Sequence, residues 1–170
     1  PVRASSQNLM TSDKYHAAFL VDGFLPYVMD AAKGERSNAF LAASPPENPG
    51  YLMIDLGIAH AIDQLHLHAV DLNDSIPQKR YNNFGMPHHL IVEGANAADF
   101  SDAQKLTEFK IVSVFDAGPI MMEKFPAFSC RYVRLRVLEP NTDTIVTGSR
   151  KTAGNVGFAE IELFSNGKNV

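Results

Sequence analysis

Residues 51–57, YLMIDLG, and 62–70, IDQLHLHAV, decide the fold. In the second stretch Leu65, Leu67 and Ala69 fall on one face of an extended chain and His66 and His68 on the other, because successive strand side chains point to opposite sides. Alternation of this kind over roughly 4–8 residues marks a half-buried strand. It returns at 89–93 (HLIVE), 109–115 (FKIVSVF), 131–138 (RYVRLRVL) and 157–164 (GFAEIELF). In 131–138 Val133, Leu135 and Val137 share a face against Arg134 and Arg136, the pattern of one layer of a sandwich. Helical periodicity is confined to short candidates near 13–20 and 98–105, neither able to carry a helical fold. The expected class is all-β, an antiparallel β-sandwich.

The spacers between these segments carry turn chemistry: SPPENPG (44–50), NDSIPQKRYNNFG (73–85), GANAADFSDAQ (94–104) and EPNTDTIVTGSRKTAGN (139–155). Two of them exceed the ~12 residues at which an unstructured connection becomes unusual in a compact domain, and long loops of that kind are disproportionately binding loops.

The chain has 170 residues, 45% hydrophobic and 20% charged, which fits a single globular domain spanning 1–170 and excludes collagen-like, coiled-coil and disordered chains. Lys and Arg number 15 against 19 Asp and Glu, a net charge of −4, so the footprint of a general nucleic-acid or anionic-membrane binder is missing. The longest apolar runs are strand-sized, well short of the roughly 18–20 residues of a membrane-spanning helix, and a soluble domain is expected. Pro1 stands where Met would begin a nascent chain, which reads as a processed chain or a domain excised from a larger protein.

Catalytic signatures are thin. GSRKTAG (148–154) lacks the Gly-Lys-Ser/Thr ending of a phosphate loop, and no nucleophile elbow or HExxH is present. Glu160 and Glu162 lie two apart by strand alternation, which does not by itself make an acid and a base. The single Cys130 cannot form an intramolecular disulfide and reads as a small buried hydrophobe. His66 and His68 share a face, a spacing zinc sites use, but sequence places no third ligand beside them, and surface histidines are the plainer reading. Arg134 and Arg136 are expected to make cross-strand ion pairs, with Glu160 or Glu162 as candidate partners.

The order of segments resembles the discoidin family, also called the coagulation factor five/eight type C domain, and the family-32 carbohydrate-binding modules. The resemblance rests on AFLVDG (18–23), the Asp-Leu-Gly ending of YLMIDLG, IDQLHLH, HHLIVEGANAADFSDA, RYVRLRV and GFAEIELF, collinear over about residues 5–164. It implies a jelly-roll sandwich of the galactose-binding-like kind that binds a partner through loops at one end. Two uses follow. One is a non-catalytic carbohydrate-binding module of a secreted multidomain bacterial protein. The other is an adhesion or protein-interaction domain packed on a catalytic neighbour. The absence of Trp and the net acidity disfavour the membrane-binding use of animal relatives.

Sugar recognition needs planar donors that bridge hydroxyls and an aromatic face for the ring's C–H surface. Arg80, Tyr81, Asn82, Asn83 and Phe84 supply both in one loop, and the 139–155 loop adds Asn141, Arg150, Lys151 and Asn155. A loop held together by these same side chains is the competing reading.

The resemblance also implies a structural calcium ion. Its candidate ligands are the Asp22 and Glu160 carboxylates with the carbonyls of Phe19, Phe24 and Ala159. The chain departs from the family pattern at Tyr27, which stands where a ligating Thr is usual. Without an ion, Asp22 is expected to close a turn and Glu160 to face solvent.

Overall fold

A computed structural model describes residues 2–7, 9, 15–23, 40–43, 50–69, 86–111, 120–141 and 154–170. In chain order its strands are β1 (Arg3–Gln7), β2 (Phe40–Ala43), β3 (Tyr51–His68), β4 (His89–Ala95), β5 (Gln104–Lys110), β6 (Ile120–Glu139), β7 (Asn155–Phe158), β8 (Glu160–Ser165) and β9 (Lys168–Asn169). A 3-10 helix, Ala17–Val21, lies between β1 and β2.

The two stretches that opened the sequence reading form one strand, β3, instead of two. It pairs with β6 along its length, from Tyr51 opposite Arg136 to His68 opposite Ile120, with register shifts between Asp55 and His60 and between Ile62 and Gln64. Those irregularities let apolar residues return to the core on both sides of the exposed middle, residues 57–61, with Leu52, Ile54, Leu56, Ile62, Leu65 and Leu67 all buried. The other edge of β3 is shared: β1 pairs with residues 51–55 and β8 with residues 64–68. The large sheet runs β5-β4-β6-β3-β8-β9, with β1 joined to β3, and every pairing is antiparallel. A second sheet pairs β2 with β7. Phe40 of β2 lies opposite Phe158 of β7 and both are fully buried, in one core with Leu65, Leu90, Val133 and Leu135 of the large sheet. The antiparallel β-sandwich expected from alternation is the observed architecture.

Departures from the sequence reading have local causes. β5 begins at Gln104, ahead of the strand expected at 109–115, and its pairing with β4 is continued by the Ile111 N–H donating to the His88 carbonyl at 2.7 Å; residues 112–115 of that expectation lie outside the described residues. It is an edge strand whose residues, QKLTEFK, bury only Phe109, so its alternation is faint. The helix candidate at 98–105 is a turn. Asp102 accepts from the N–H groups of Asn96 and Ala97, and Asp99 accepts from Ser101. Such side chains offer the backbone an alternative to helical bonds. The candidate at 13–20 corresponds to the 3-10 helix, whose first turn is closed by His16 Nδ1 accepting from Ala18 N–H at 3.1 Å.

Arg134 pairs with Glu93 at 2.7 Å and Arg136 with the same carboxylate at 3.4 Å, instead of with Glu160 or Glu162. The reason is strand order: β6 lies between β4 and β3, and β3 separates it from β8. Asp55, of the Asp-Leu-Gly segment, accepts from Gly57 N–H at 2.8 Å and takes a two-pronged bond from Arg131 at 2.8 and 3.0 Å, which holds its carboxyl below the usual carboxylate range. Cys130 is fully buried, and burial pushes its thiol up to about 11, as expected of a packing residue.

Gly94 is the tightest of these places. A Cβ there would stand 3.0 Å from Cys130 Sγ and from Phe128 Cδ1 and 3.2 Å from Leu106 Cδ1. Gly94→Ala is expected to lower stability by about 1–3 kcal/mol through overpacking. Phe158→Ala is expected to cost about 3–5 kcal/mol by opening the contact between the sheets. Both are read as shifts of the denaturant midpoint at constant slope.

Candidate functional site

The Asp-Gly segment at the end of the 3-10 helix and the first residue of β8 meet. Asp22 caps the helix in an αR conformation and Gly23 follows with φ +78°, a left-handed conformation that glycine adopts without penalty. That turn aims the Gly23 N–H at Glu160 Oε1, 3.2 Å away. Glu160 is 4% exposed, so the expectation that it faces solvent does not hold; β8 turns it inward, between the helix end and the sheet. Its other oxygen, Oε2, is buried and meets no hydrogen-bond partner among the described residues. Burial pushes the Glu160 carboxyl up to about 8 against the lowering effect of the Gly23 N–H, and the neighbouring Asp22 carboxyl adds to the rise. A cavity of about 120 Å³ adjoins it, lined by Val2, Val21, Ile54, Leu56 and Asn169 among others.

A buried carboxylate with a second carboxylate, the exposed Asp22, beside it calls for either a proton or a cation to offset the charge. An orphaned carboxylate oxygen beside a second carboxylate is a hard-oxygen donor set, which suits calcium. Of the remaining candidate ligands, Phe19 lies in the 3-10 helix and is partly buried. Ala159 is buried at the break between β7 and β8, where its N–H donates to the His68 carbonyl at 2.8 Å. Phe24 falls outside the described residues, as does Tyr27.

Of the proposed sugar-binding residues, Arg80, Tyr81, Asn82, Asn83, Phe84 and Arg150 lie outside the described residues. Asn155 opens β7 opposite Ala43, so its backbone belongs to the second sheet. Asn141, from the same loop, is buried directly after β6 and Pro140, as part of the scaffold and not as an exposed contact.

His66 and His68 are less exposed than surface histidines. His68 is buried, and both rings meet the Glu162 carboxylate, a partner the sequence reading did not find. The signal was the alternation of 157–164, but only the β3–β8 register, His66 opposite Glu162, brings the groups together. A second unforeseen cluster lies on the large sheet, where the Arg134 guanidinium stacks over Phe100 at 4.3 Å and stands 5.6 Å from the Tyr51 ring.

No family model matches the sequence, and no curated protein matches it. Solved structures do. A CBM32 module of Clostridium perfringens in complex with GalNAc-β-1,3-galactose superposes with a TM-score of 0.60 at 15% identity, covering 96% of this chain and 95% of that one. The fold is that of the family-32 carbohydrate-binding modules. Chitosan-binding module 2 from a chitosanase/glucanase of Paenibacillus sp. IK-5, in complex with chitotriose, gives a TM-score of 0.62 at 16% identity over 96% of this chain and 95% of that chain. The family-32 module of Clostridium perfringens NanJ, in complex with galactose, gives 0.58 at 13% identity over 95% and 92%.

Within this galactose-binding-like sandwich the buried Glu160 makes a testable difference to stability. A carboxyl with an ordinary value of 4.5 and a folded value of about 8 is neutral in both states at low pH. As pH rises from about 4.5 to about 8 the unfolded chain ionises first, so folding stability falls across that window. In chelator the domain is therefore expected to melt lower at pH 8 than at pH 5, and Glu160→Gln is expected to flatten the dependence. Thermal unfolding followed by circular dichroism across the window checks it, and an unchanged pH slope in Glu160→Gln would refute the assignment.

Proposed function

We propose that the chain is a non-catalytic carbohydrate-binding module of a secreted bacterial multidomain protein, binding glycans through the loops that contain Arg80–Phe84 and Arg150. The observation that carries this reading is the sandwich itself. Its structural neighbours include modules in complex with GalNAc-β-1,3-galactose, chitotriose, galactose and 4,5-unsaturated mannuronic acid. The paratope chemistry is supported by the sequence: Arg80, Asn82 and Asn83 are planar donors for vicinal hydroxyls, and Tyr81 and Phe84 offer ring faces. A module of this kind works by tethering, since weak binding raises the effective concentration of whatever it is joined to.

The same proposal includes calcium held by Asp22 and Glu160, with the Phe19, Phe24 and Ala159 carbonyls as further ligands. The ion would neutralise two carboxylates and tie the end of the 3-10 helix to β8, at a distance in sequence of 137 residues. The orphaned Glu160 Oε2 supports it. The rival reading, a ligand-free interaction domain, calls for a broad apolar face. Among the described residues the exposed large hydrophobic side chains are Ile58 on β3 and Met122 on β6.

A glycan array carrying galactosides, chito-oligosaccharides and uronates, probed with calcium and with chelator, tests the proposal. A saturable hit is expected, and Arg80→Ala is expected to weaken it by about 1.5–3 kcal/mol, the range for a hydrogen bond from a charged donor, by calorimetry. Silence from the folded, calcium-loaded domain would favour the interaction-domain reading.

A further inference from the structure

We propose that His66, His68 and Glu162 form a second, distinct metal site for a zinc-class transition-metal ion, clipping β8 to the central strand β3. Imidazole nitrogens with one carboxylate oxygen are a borderline donor set, unlike the all-oxygen set at Asp22 and Glu160. The ligand atoms of these three side chains lie within 4.8 Å of one another. Glu162 Oε2 stands 3.3 Å from His66 Nδ1 and 2.8 Å from His68 Nε2, so one carboxylate oxygen faces two imidazole nitrogens. Donors at about 2.0–2.2 Å from a tetrahedral zinc are separated by about 3.3–3.6 Å. The first distance already matches, and the second needs to open by about 0.5 Å as the ion replaces the proton that bridges His68 and Glu162.

The surroundings are those of a built site. Strand alternation puts His66 and His68 on one face, and His66 lies directly opposite Glu162 in the β3–β8 ladder, so both ligand-bearing elements are held by backbone pairing. Outer contacts hold the ligands in place. The Gln64 carboxamide meets His66 Nε2, Asn169 Nδ2 donates to Glu162 Oε1 at 3.2 Å, and the Phe164 ring packs on His66 with centroids 4.4 Å apart. The Gln64 atom that meets Nε2 is the amide nitrogen; turning the carboxamide over places its oxygen on Nε2–H and leaves the Nδ1 lone pair of His66 for the ion, the arrangement in which an outer-shell group fixes a ligand's tautomer. His68 is 6% exposed while His66 and Glu162 are each 17% exposed, which leaves one side open for a water or a ligand group as the fourth donor.

The test uses the whole chain stripped of metal and kept in excess calcium, so that Asp22 and Glu160 are occupied. Zinc calorimetry is expected to give one equivalent, and cobalt is expected to give the visible bands of a tetrahedral site. Glu162→Gln and His66→Ala are each expected to weaken zinc by more than the roughly 10–100-fold that loss of an outer-shell partner costs, with Gln64→Ala falling inside that range. Glu162→Gln keeps the side chain's shape while removing its charge and one ligand oxygen, so it decides the matter if His66→Ala does not fold. Absence of saturable zinc binding by the folded domain, or binding that survives Glu162→Gln undiminished, would overturn the proposal.

Discussion

The pairing of β3 with β6 is the constraint on which the rest of the molecule depends. These two strands, of 18 and 20 residues, form the middle of the large sheet, and every other strand of that sheet is placed relative to them. Because side chains alternate, a slip of one residue would turn Leu52, Ile54, Leu65 and Leu67 to solvent, so burial of these residues fixes the register. The register in turn sets what lies along the free edge of β3. β1 takes the first part, β8 the second, and the 3-10 helix packs against both.

Two polar clusters grow out of that edge. β8 begins at Glu160, whose carboxyl is turned in against Gly23 and beside Asp22, and continues to Glu162, which meets His66 and His68. Two residues apart on one strand, these glutamates sit in different surroundings. One is walled in by the end of a helix and apolar side chains and collects oxygen neighbours; the other is crossed by two imidazoles. The distinction follows from the neighbouring elements, since residue type and spacing are the same for both. The oxygen neighbours of Glu160 suit a hard ion, and the imidazoles around Glu162 suit a softer one.

The sandwich architecture was legible in the sequence wherever a strand has one buried and one wet face. The 131–138 stretch is the clearest case, with Val133, Leu135 and Val137 buried. Strands without such contrast escaped in whole or in part: β1, RASSQ, is polar, β2, FLAA, is short, and β5, at an edge with only Phe109 buried, was read only from that residue onward. The candidate cation site was legible as a likeness of the AFLVDG and GFAEIELF segments, and the Asp22–Gly23 turn does lie against Glu160. The third partner of the histidines was not legible, because Glu162 lies 94 residues from His68 in the chain.

By itself the sequence determined that the chain builds an antiparallel β-sandwich, which faces of its strands are apolar, and which loops hold donors and rings suited to sugars. These are local properties, set by a two-residue period and by turn chemistry. Tertiary structure alone decided that Arg134 and Arg136 share Glu93, that Glu160 is buried with an oxygen that meets no hydrogen-bond partner among the described residues, and that Glu162 faces two imidazoles. Each of those depends on strand order and on register between distant segments. Both are set by long-range packing of the common core, in which Leu65 and Leu67 must be covered from both edges at once, and no stretch of local sequence encodes that requirement.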